Sequence, residues 1–455
     1  SPRMDDRRLF RYGPGYSPLP LETALDWSAW GGFSRAVEMC NNNGACRKSD
    51  PGVMCPSFMV TQDEQHGVRG RANALRLALT GQLGPEALVS DAMAETMSLC
   101  VGCKGCRREC PTGVDMARMK VEFLWQWQRR HGLRLRERLV AYLPRTAPWL
   151  RRLGRFLRLR ESSAQLRRWM ERLTGFSARR ELPQFDARPF WPPPEERAIP
   201  AEKAGPIDAR PEVALLVDTF TAWFEPENAR AATRVLERAG YGVSFPSLGP
   251  GERPPCCGRT FLSAGLVEEA RAEARRLLEA VRPFLERGVV LVGLEPSCLL
   301  TLRDELQAML PGPEAARLAA AALTFEEFVA REIDSGRFRL RTHPLPQRQA
   351  YLHGHCHQKA FGLMGDVTKV LKLVPELGVE TIAGSCCGMA GTFGYEARYF
   401  NVSMRMAERT LLPAIRKAPA DALLVADGFS CQHQIIGGTG RSALHVARVL
   451  DAASA

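Results

Sequence analysis

The chain has 455 residues, 45% hydrophobic and 25% charged, enough for two or three globular domains. No run approaches 18 apolar residues, so no spanning helix is expected, and the first residues lack the charged-apolar-small pattern of a secretory signal. The net charge of +12 sits almost wholly in residues 118–180, where eighteen Lys and Arg face four Glu, and no nucleic-acid partner is expected.

Fourteen cysteines are clustered in motifs instead of being scattered as pairs, which favours metal ligation in a reducing cytosol over disulfides. Residues 1–39 read as a leading arm, with turn chemistry at Arg11-Tyr-Gly-Pro-Gly-Tyr16 and then Leu25-Asp-Trp-Ser-Ala-Trp30. The arm has no initiator methionine at its head, and the chain is expected to be a piece of something longer.

A ferredoxin-like stretch is expected over 40–130. Its first cysteine set is Cys40, Cys46 and Cys55-Pro56, and its second is Cys100, Cys103, Cys106 and Cys110-Pro111. The second reads C-x2-C-x2-C-x3-C-P, the spacing in which three thiolates from one loop converge on an iron–sulfur cluster and the fourth ligates a neighbour. By that crossover Cys55, Cys100, Cys103 and Cys106 complete one [4Fe–4S] ligand set. Cys40, Cys46 and Cys110 remain for a second, with Asn43 standing where its fourth thiolate would be. Three outcomes stay open there: a [4Fe–4S] cluster with a non-cysteine ligand, a [3Fe–4S] cluster, or a [4Fe–4S] cluster using another nearby group. Helices are expected over Ala72–Thr80, Glu86–Leu99 and Val114–Arg130, which makes this an all-α module.

Residues 131–181 are a basic helical segment that Pro144 and Pro148 should split. Within it, Leu150, Leu153, Phe156 and Leu157 form an apolar side opposite arginines. Such a helix lies either on an anionic membrane or on its own protein. Eight prolines between 182 and 211 mark a stiff linker and a domain boundary.

Beyond the linker the sequence repeats. A first copy (212–345) runs strand Val213–Val217, helix Asn228–Ala239, strand Gly242–Phe245, Cys256-Cys257-Gly258, a helix from about Leu266 to Leu285, strand Val289–Val292 and Cys298. A second copy (346–455) runs strand Tyr351-Leu352, Cys356, a helix around Val367–Leu373, Cys386-Cys387-Gly388, a helix from about Asn401 to Arg416, strand Ala422–Val425 and Cys431. The alternation predicts two α/β lobes on parallel sheets related by pseudo-twofold symmetry. Both Cys-Cys-Gly elbows fall at strand ends, where such folds bind ligands. Cys356, Cys386, Cys387 and Cys431 give the second lobe four thiols, suiting an opened cluster or a cluster beside a labile thiol. The first lobe keeps only Cys256, Cys257 and Cys298 and reads as a degraded site. His353, His355, His357 and His433 crowd the second copy as ligands, proton donors or polar loop residues, and zinc is the competing metal. Gly388-Met-Ala-Gly391-Thr-Phe-Gly394 is not a dinucleotide fingerprint, and no flavin, nicotinamide or P-loop motif is present.

The motifs Cys40-Asn-Asn-Asn-Gly-Ala-Cys46, Arg69-Gly-Arg-Ala-Asn73 and Cys103-Lys-Gly-Cys106-Arg-Arg-Glu-Cys110-Pro-Thr-Gly-Val-Asp115 resemble the iron–sulfur region of FAD-linked D-2-hydroxyacid dehydrogenases. That region is related to the iron–sulfur subunits of glycolate oxidase and of anaerobic glycerol-3-phosphate dehydrogenase. The lobes resemble the cysteine-rich (CCG) domains of heterodisulfide reductase. The resemblance implies an α-helical dicluster ferredoxin followed by two CCG lobes. It also implies electrons passing from FAD on a fused or partner domain, which oxidises D-2-hydroxyglutarate, D-lactate or glycolate, to a quinone or protein acceptor. A cytoplasmic protein, peripheral to the inner membrane through the basic segment, is expected. The heterodisulfide reductase pattern ends in Cys-x-x-Cys, whereas here Cys298 is followed by Leu-Leu-Thr301 and Cys431 by Gln-His-Gln434. That departure weighs against the competing reading of a disulfide reductase; a zinc-binding docking scaffold is the third.

Overall fold

The computed structural model describes residues 17–48, 52–154, 159–190, 210–249 and 252–454. Arg11–Tyr16, Phe156, Leu157 and most of the proline-rich linker lie outside them. No described helix is long and apolar enough to cross a membrane.

All described secondary structure before Glu212 is helical, apart from an isolated bridge between Phe176 and Glu396. The cysteine loops sit at the ends of short helices Pro56–Thr61, Val68–Leu79, Asp91–Ser98 and Gly105–Glu109, and Met116–His131 backs them. Glu122 on that last helix is buried and accepts hydrogen bonds from the Ala24 and Leu25 amides and the Trp27 indole at 2.8, 3.0 and 2.9 Å, which ties down the leading arm. The single helix expected over Glu86–Leu99 is two pieces. A 3-10 turn, Ala87–Val89, precedes Ser90, whose hydroxyl caps the helix Asp91–Ser98 through the Met93 amide.

In the basic segment Pro144 opens the helix Leu143–Leu150, but Pro148 lies inside it and does not split it. The helix Ala164–Thr174 buries none of its residues. Leu135, Trp149, Leu159, Trp169 and Leu173 are all more than half exposed, and Arg134, Arg138, Arg151, Arg152, Arg168 and Arg172 are exposed among them.

The rest is α/β. Strands β1 (Glu212–Leu216), β2 (Gly242–Ser244), β3 (Val290–Gly293) and β4 (Ala322–Thr324) form a parallel sheet in the order β2-β1-β3-β4. Strands β5 (Gln349–Leu352), β6 (Gly378–Thr381) and β7 (Leu423–Val425) form a second parallel sheet, β6-β5-β7, which a parallel bridge from Val425 to Leu444 extends. The central strands are continuous apolar runs because helices cover both faces.

The two sheets pack through helices in a reciprocal way. Pro226–Arg238 of the first lobe lies on Val446–Ala453 of the second, and Phe325–Asp334 lies on Met364–Leu371. Val235, Val329, Val370 and Leu450 share the apolar core between them.

A buried charge network joins the ferredoxin region to the first lobe. Lys104, 1% exposed, pairs with Asp304 and with Glu305, the latter at 2.7 Å. Arg107 and Arg118 reach Asp304 at 2.6 and 2.7 Å, and Arg259 reaches Glu305 at 2.7 Å. These cations hold the Asp304 carboxyl well below the usual carboxylate range against the cost of burial. Lys104→Met keeps the side chain's length and removes the charge at the centre of this network. It should cost roughly 3 kcal/mol, near the low end for breaking a buried ion pair because the arginines remain. Thermal unfolding of the mutant checks this, and an unchanged midpoint would show that the network does not stabilise the junction.

Candidate metal centres

Four thiols line one cavity. Cys55, Cys100, Cys103 and Cys106 line it together with Val68, Arg71, Lys104 and Met116. Cys55 stands at the start of the helix Pro56–Thr61, and Cys106 sits within Gly105–Glu109. Gly105 lets the two loops touch: a Cβ there would lie 2.8 Å from the Val53 carbonyl carbon.

The lining is cationic. Arg71 is wholly buried and donates to the Cys55 thiol at 3.7 Å, to Ser57 Oγ at 3.1 Å and to Thr96 O at 3.0 Å, with no carboxylate partner among the described residues. Lys120 donates to the Cys100 carbonyl. Buried cations facing thiols are costly unless something negative lies between them. The chemistry of the donor set therefore fits an anionic, thiolate-bound cluster. Burial pushes the Cys103 and Cys106 thiols up, so binding a metal there must release protons.

Cys40 and Cys46 are buried and Cys110 is half-buried. The Arg69 amide donates to Cys46 Sγ at 3.4 Å, and Cys110 Sγ lies 3.3 Å from Thr112 Oγ1. Asn43 is exposed, and its carboxamide is committed to Asn41 Oδ1 at 2.6 Å and to the Ala45 amide at 2.8 Å. Asn42 is the residue turned inward. It adopts a left-handed backbone with φ 61°, and its Oδ1 lies 3.8 Å from Cys40 Sγ.

Both Cys-Cys-Gly elbows have the same build. The Gly258 amide donates to Cys256 Sγ at 3.4 Å and the Gly388 amide to Cys386 Sγ at 3.3 Å. Each glycine is left-handed, with φ 81° and 84°. A Cβ on Gly258 would lie 2.9 Å from Ala270 O, and one on Gly388 only 2.3 Å from Ser403 O. The motif needs glycine because a helix backbone passes directly against it.

In the second lobe Cys356 lies against Cys386, Cys386 against Cys387 and Cys387 against Cys431, so the four thiols are contiguous. Bonds from Cys386 and Cys431 hold the Cys387 thiol well below its ordinary range. Lys359 donates to Gly384 O at 2.8 Å beside this set, and its amine is lowered by burial despite the neighbouring thiols. In the first lobe Cys257 touches Cys256 and Cys298, and Asp218 caps the helix Thr219–Trp223 where the second lobe has the Cys356 turn. Burial pushes the nearby Glu295 carboxyl up to about 7, with Asp218 adding to it.

The ferredoxin cavity abuts the second lobe. Ser385 Oγ donates to Val53 O at 2.5 Å, next to the Cys55 loop. His357 Nε2 lies 3.0 Å from Gly102 O, between Cys100 and Cys103. The Cys356 thiol is close enough to add to burial in raising Cys103. The spacing of the cysteines found the thiols. Arg71, Lys120 and Lys359 carried no signal beyond Arg71's place in the Arg-Gly-Arg motif.

Residues 36–114 match the 4Fe-4S dicluster domain family, and residues 350–436 match the cysteine-rich domain (CCG) family. The chain is 26% identical to D-2-hydroxyglutarate dehydrogenase of Pseudomonas putida, over 94% of this chain and 44% of that protein. It is 24% identical to the Escherichia coli protein of the same name, over 93% of this chain and 43% of the relative. A subunit of the anaerobic glycerol-3-phosphate dehydrogenase of Escherichia coli is 27% identical over 61% of this chain and 66% of that protein. The chain thus spans less than half the length of the two D-2-hydroxyglutarate dehydrogenases. It joins a dicluster ferredoxin region to a cysteine-rich region and is distantly related to these oxidoreductase components.

Gly388→Ala should destabilise the second lobe by about 1–2 kcal/mol from the left-handed backbone and a further ~1–3 kcal/mol from overpacking. Gly440→Ala, at φ 74° with nothing within 4 Å, should pay only the backbone part. Equal losses of unfolding midpoint in the two mutants would contradict the close-approach explanation.

Proposed function

We propose that this chain is the iron–sulfur relay of a flavin-dependent D-2-hydroxyacid dehydrogenase. The observation that carries this is the abutment of the ferredoxin cavity on the second lobe's thiols, through Val53–Ser385, Gly102–His357 and Cys103–Cys356. Cys55, Cys100, Cys103 and Cys106 would hold one [4Fe–4S] cluster. Cys40, Cys46 and Cys110 would hold a second, and the second lobe's thiols a further centre. When bound, such groups pass electrons one at a time.

The protein's own part is positional. Arg71 offsets the charge of the first site, Ser385 and His357 hold the second lobe against it, and burial of Cys55, Cys100, Cys103 and Cys106 limits water there. Oxidising a hydroxyacid releases two electrons, so a flavin on a fused or partner domain is the donor and a quinone or protein the acceptor. The relatives' names support D-2-hydroxyglutarate as the first substrate to test. The first lobe, with three thiols, is read as the degraded copy. The shared strand order and reciprocal helix packing of the two sheets support a pseudo-twofold relation between the lobes. The basic segment is read as the contact with an anionic membrane, from its exposed Trp149, Trp169 and Leu173 amid arginines.

Two outcomes are expected. The metallated chain alone should be reduced by dithionite yet oxidise neither D-2-hydroxyglutarate nor D-lactate, and adding the flavoprotein should give substrate-dependent bleaching that Cys103→Ser abolishes. Substrate oxidation by the chain alone would overturn the relay reading. Second, the chain should co-sediment with vesicles containing anionic lipid at low salt, and Trp169→Ala with Leu173→Ala should weaken this several-fold. Raising salt should weaken it too, since the Debye length falls below about 8 Å. No binding at low salt would remove the membrane contact.

A further inference from the structure

One buried base in the second lobe has no nitrogen or oxygen partner for its ring among the described residues. His353 follows β5 directly, is 3% exposed, and has the Cys387 thiol against its ring but no oxygen or nitrogen partner at Nδ1 or Nε2 among the described residues. Its neighbours are not in that state. His355 spends Nδ1 on the His357 amide at 3.2 Å, and His357 directs Nε2 at Gly102 O. His445 uses Nδ1 to cap its helix at Ala447 and lies 3.1 Å from Leu294 O through Nε2. An imidazole buried with a thiol as its sole polar neighbour is poorly satisfied, so the position calls for a partner the polypeptide does not supply.

The position of the ring indicates what that partner is. A ring nitrogen of His353, Cys387 Sγ and Cys431 Sγ all lie within 4.8 Å of one another. Donors on one metal with bonds of ~2.0–2.3 Å sit roughly 3.5–4 Å apart, so a small adjustment brings all three onto a single ion. The first lobe gives an internal contrast: the residue directly after β1 is Val217, and that lobe also lacks the fourth thiol.

We propose that His353 is an imidazole ligand of the metal centre in the second lobe, sharing it with Cys387 and Cys431 while Cys356 and Cys386 complete the donor set. This rests on reading that lobe as a metal centre. A neutral imidazole leaves less negative charge at the metal than a cysteine thiolate at position 353 would, and so a higher reduction potential than His353→Cys would have.

The test uses the full chain as purified, with iron and zinc counted, and Cys431→Ala, His353→Ala, His353→Cys, His355→Ala and His357→Ala beside it. Stepwise reduction with pulsed electron paramagnetic resonance should find one species with the strong nitrogen coupling of a coordinated imidazole. That coupling should vanish in His353→Ala and survive in His355→Ala and His357→Ala. His353→Cys should keep the metal, lose the coupling and lower the midpoint potential. Were the lobe's metal zinc, X-ray absorption at its edge should show an imidazole shell that His353→Ala removes. A metal count unchanged by Cys431→Ala would overturn the reading of the lobe as a metal centre, and the proposal with it. A count that falls in Cys431→Ala, with no imidazole signature in the wild-type chain or one that persists in His353→Ala, would overturn the role of His353 alone.

Discussion

Positive charge buried against sulfur is the constraint around which this chain is arranged. Arg71 and Lys104 have essentially no exposed surface, and both face the cavity lined by Cys55, Cys100, Cys103 and Cys106. Lys104 is satisfied by reaching out of the ferredoxin region to Asp304 and Glu305, so the residue beside Cys103 is also the pin that fixes the first lobe. Arg71 is satisfied by a thiol, a hydroxyl and a carbonyl, an arrangement that suits a guanidinium only where further negative charge is near. Electrostatics at the sulfurs and docking of the domains are thus carried by the same side chains.

The two Cys-Cys-Gly elbows give the chain a comparison within itself. Their backbones match in glycine conformation, in the amide-to-sulfur hydrogen bond and in the helix that passes against the glycine. What differs is what surrounds them. The second lobe adds Cys356, His353 and Lys359, whereas the first places Asp218 and Val217 at the matching strand end and brings Glu295 near Cys298. The elbow geometry is common to both lobes, while the additional thiol, imidazole and amine stand in one.

Much of this was legible in the sequence, for physical reasons. The buried strands declare themselves as apolar runs at Val213–Val217, Val289–Val292 and Ala422–Val425, because parallel sheets are covered on both faces. The thiols declare themselves by spacing, since one loop must bend three of them toward one point. Strands β4 and β6 escaped notice: β4 has three residues, and β6 is an edge whose Gly-Val-Glu-Thr is largely exposed. The break at Ser90 competes with a helical periodicity that runs straight through it. Which asparagine turns toward Cys40 is decided by the left-handed backbone at Asn42, and three consecutive asparagines offer no pattern from which to choose. Nor can spacing say which few of 62 Lys and Arg end up without solvent.

The contact between Val53 and Ser385 joins residues 332 positions apart, and that between Gly102 and His357 joins residues 255 apart. Closures of such length form late, after the segments between them have folded, and a chain made from its N-terminus cannot form them until the last lobe is complete. Throughout synthesis, then, the loops of Cys55 and Cys103 stay open on the side that Ser385 and His357 will cover. The N-terminal thiols are thus made, and uncovered on that side, before the C-terminal lobe shuts over them.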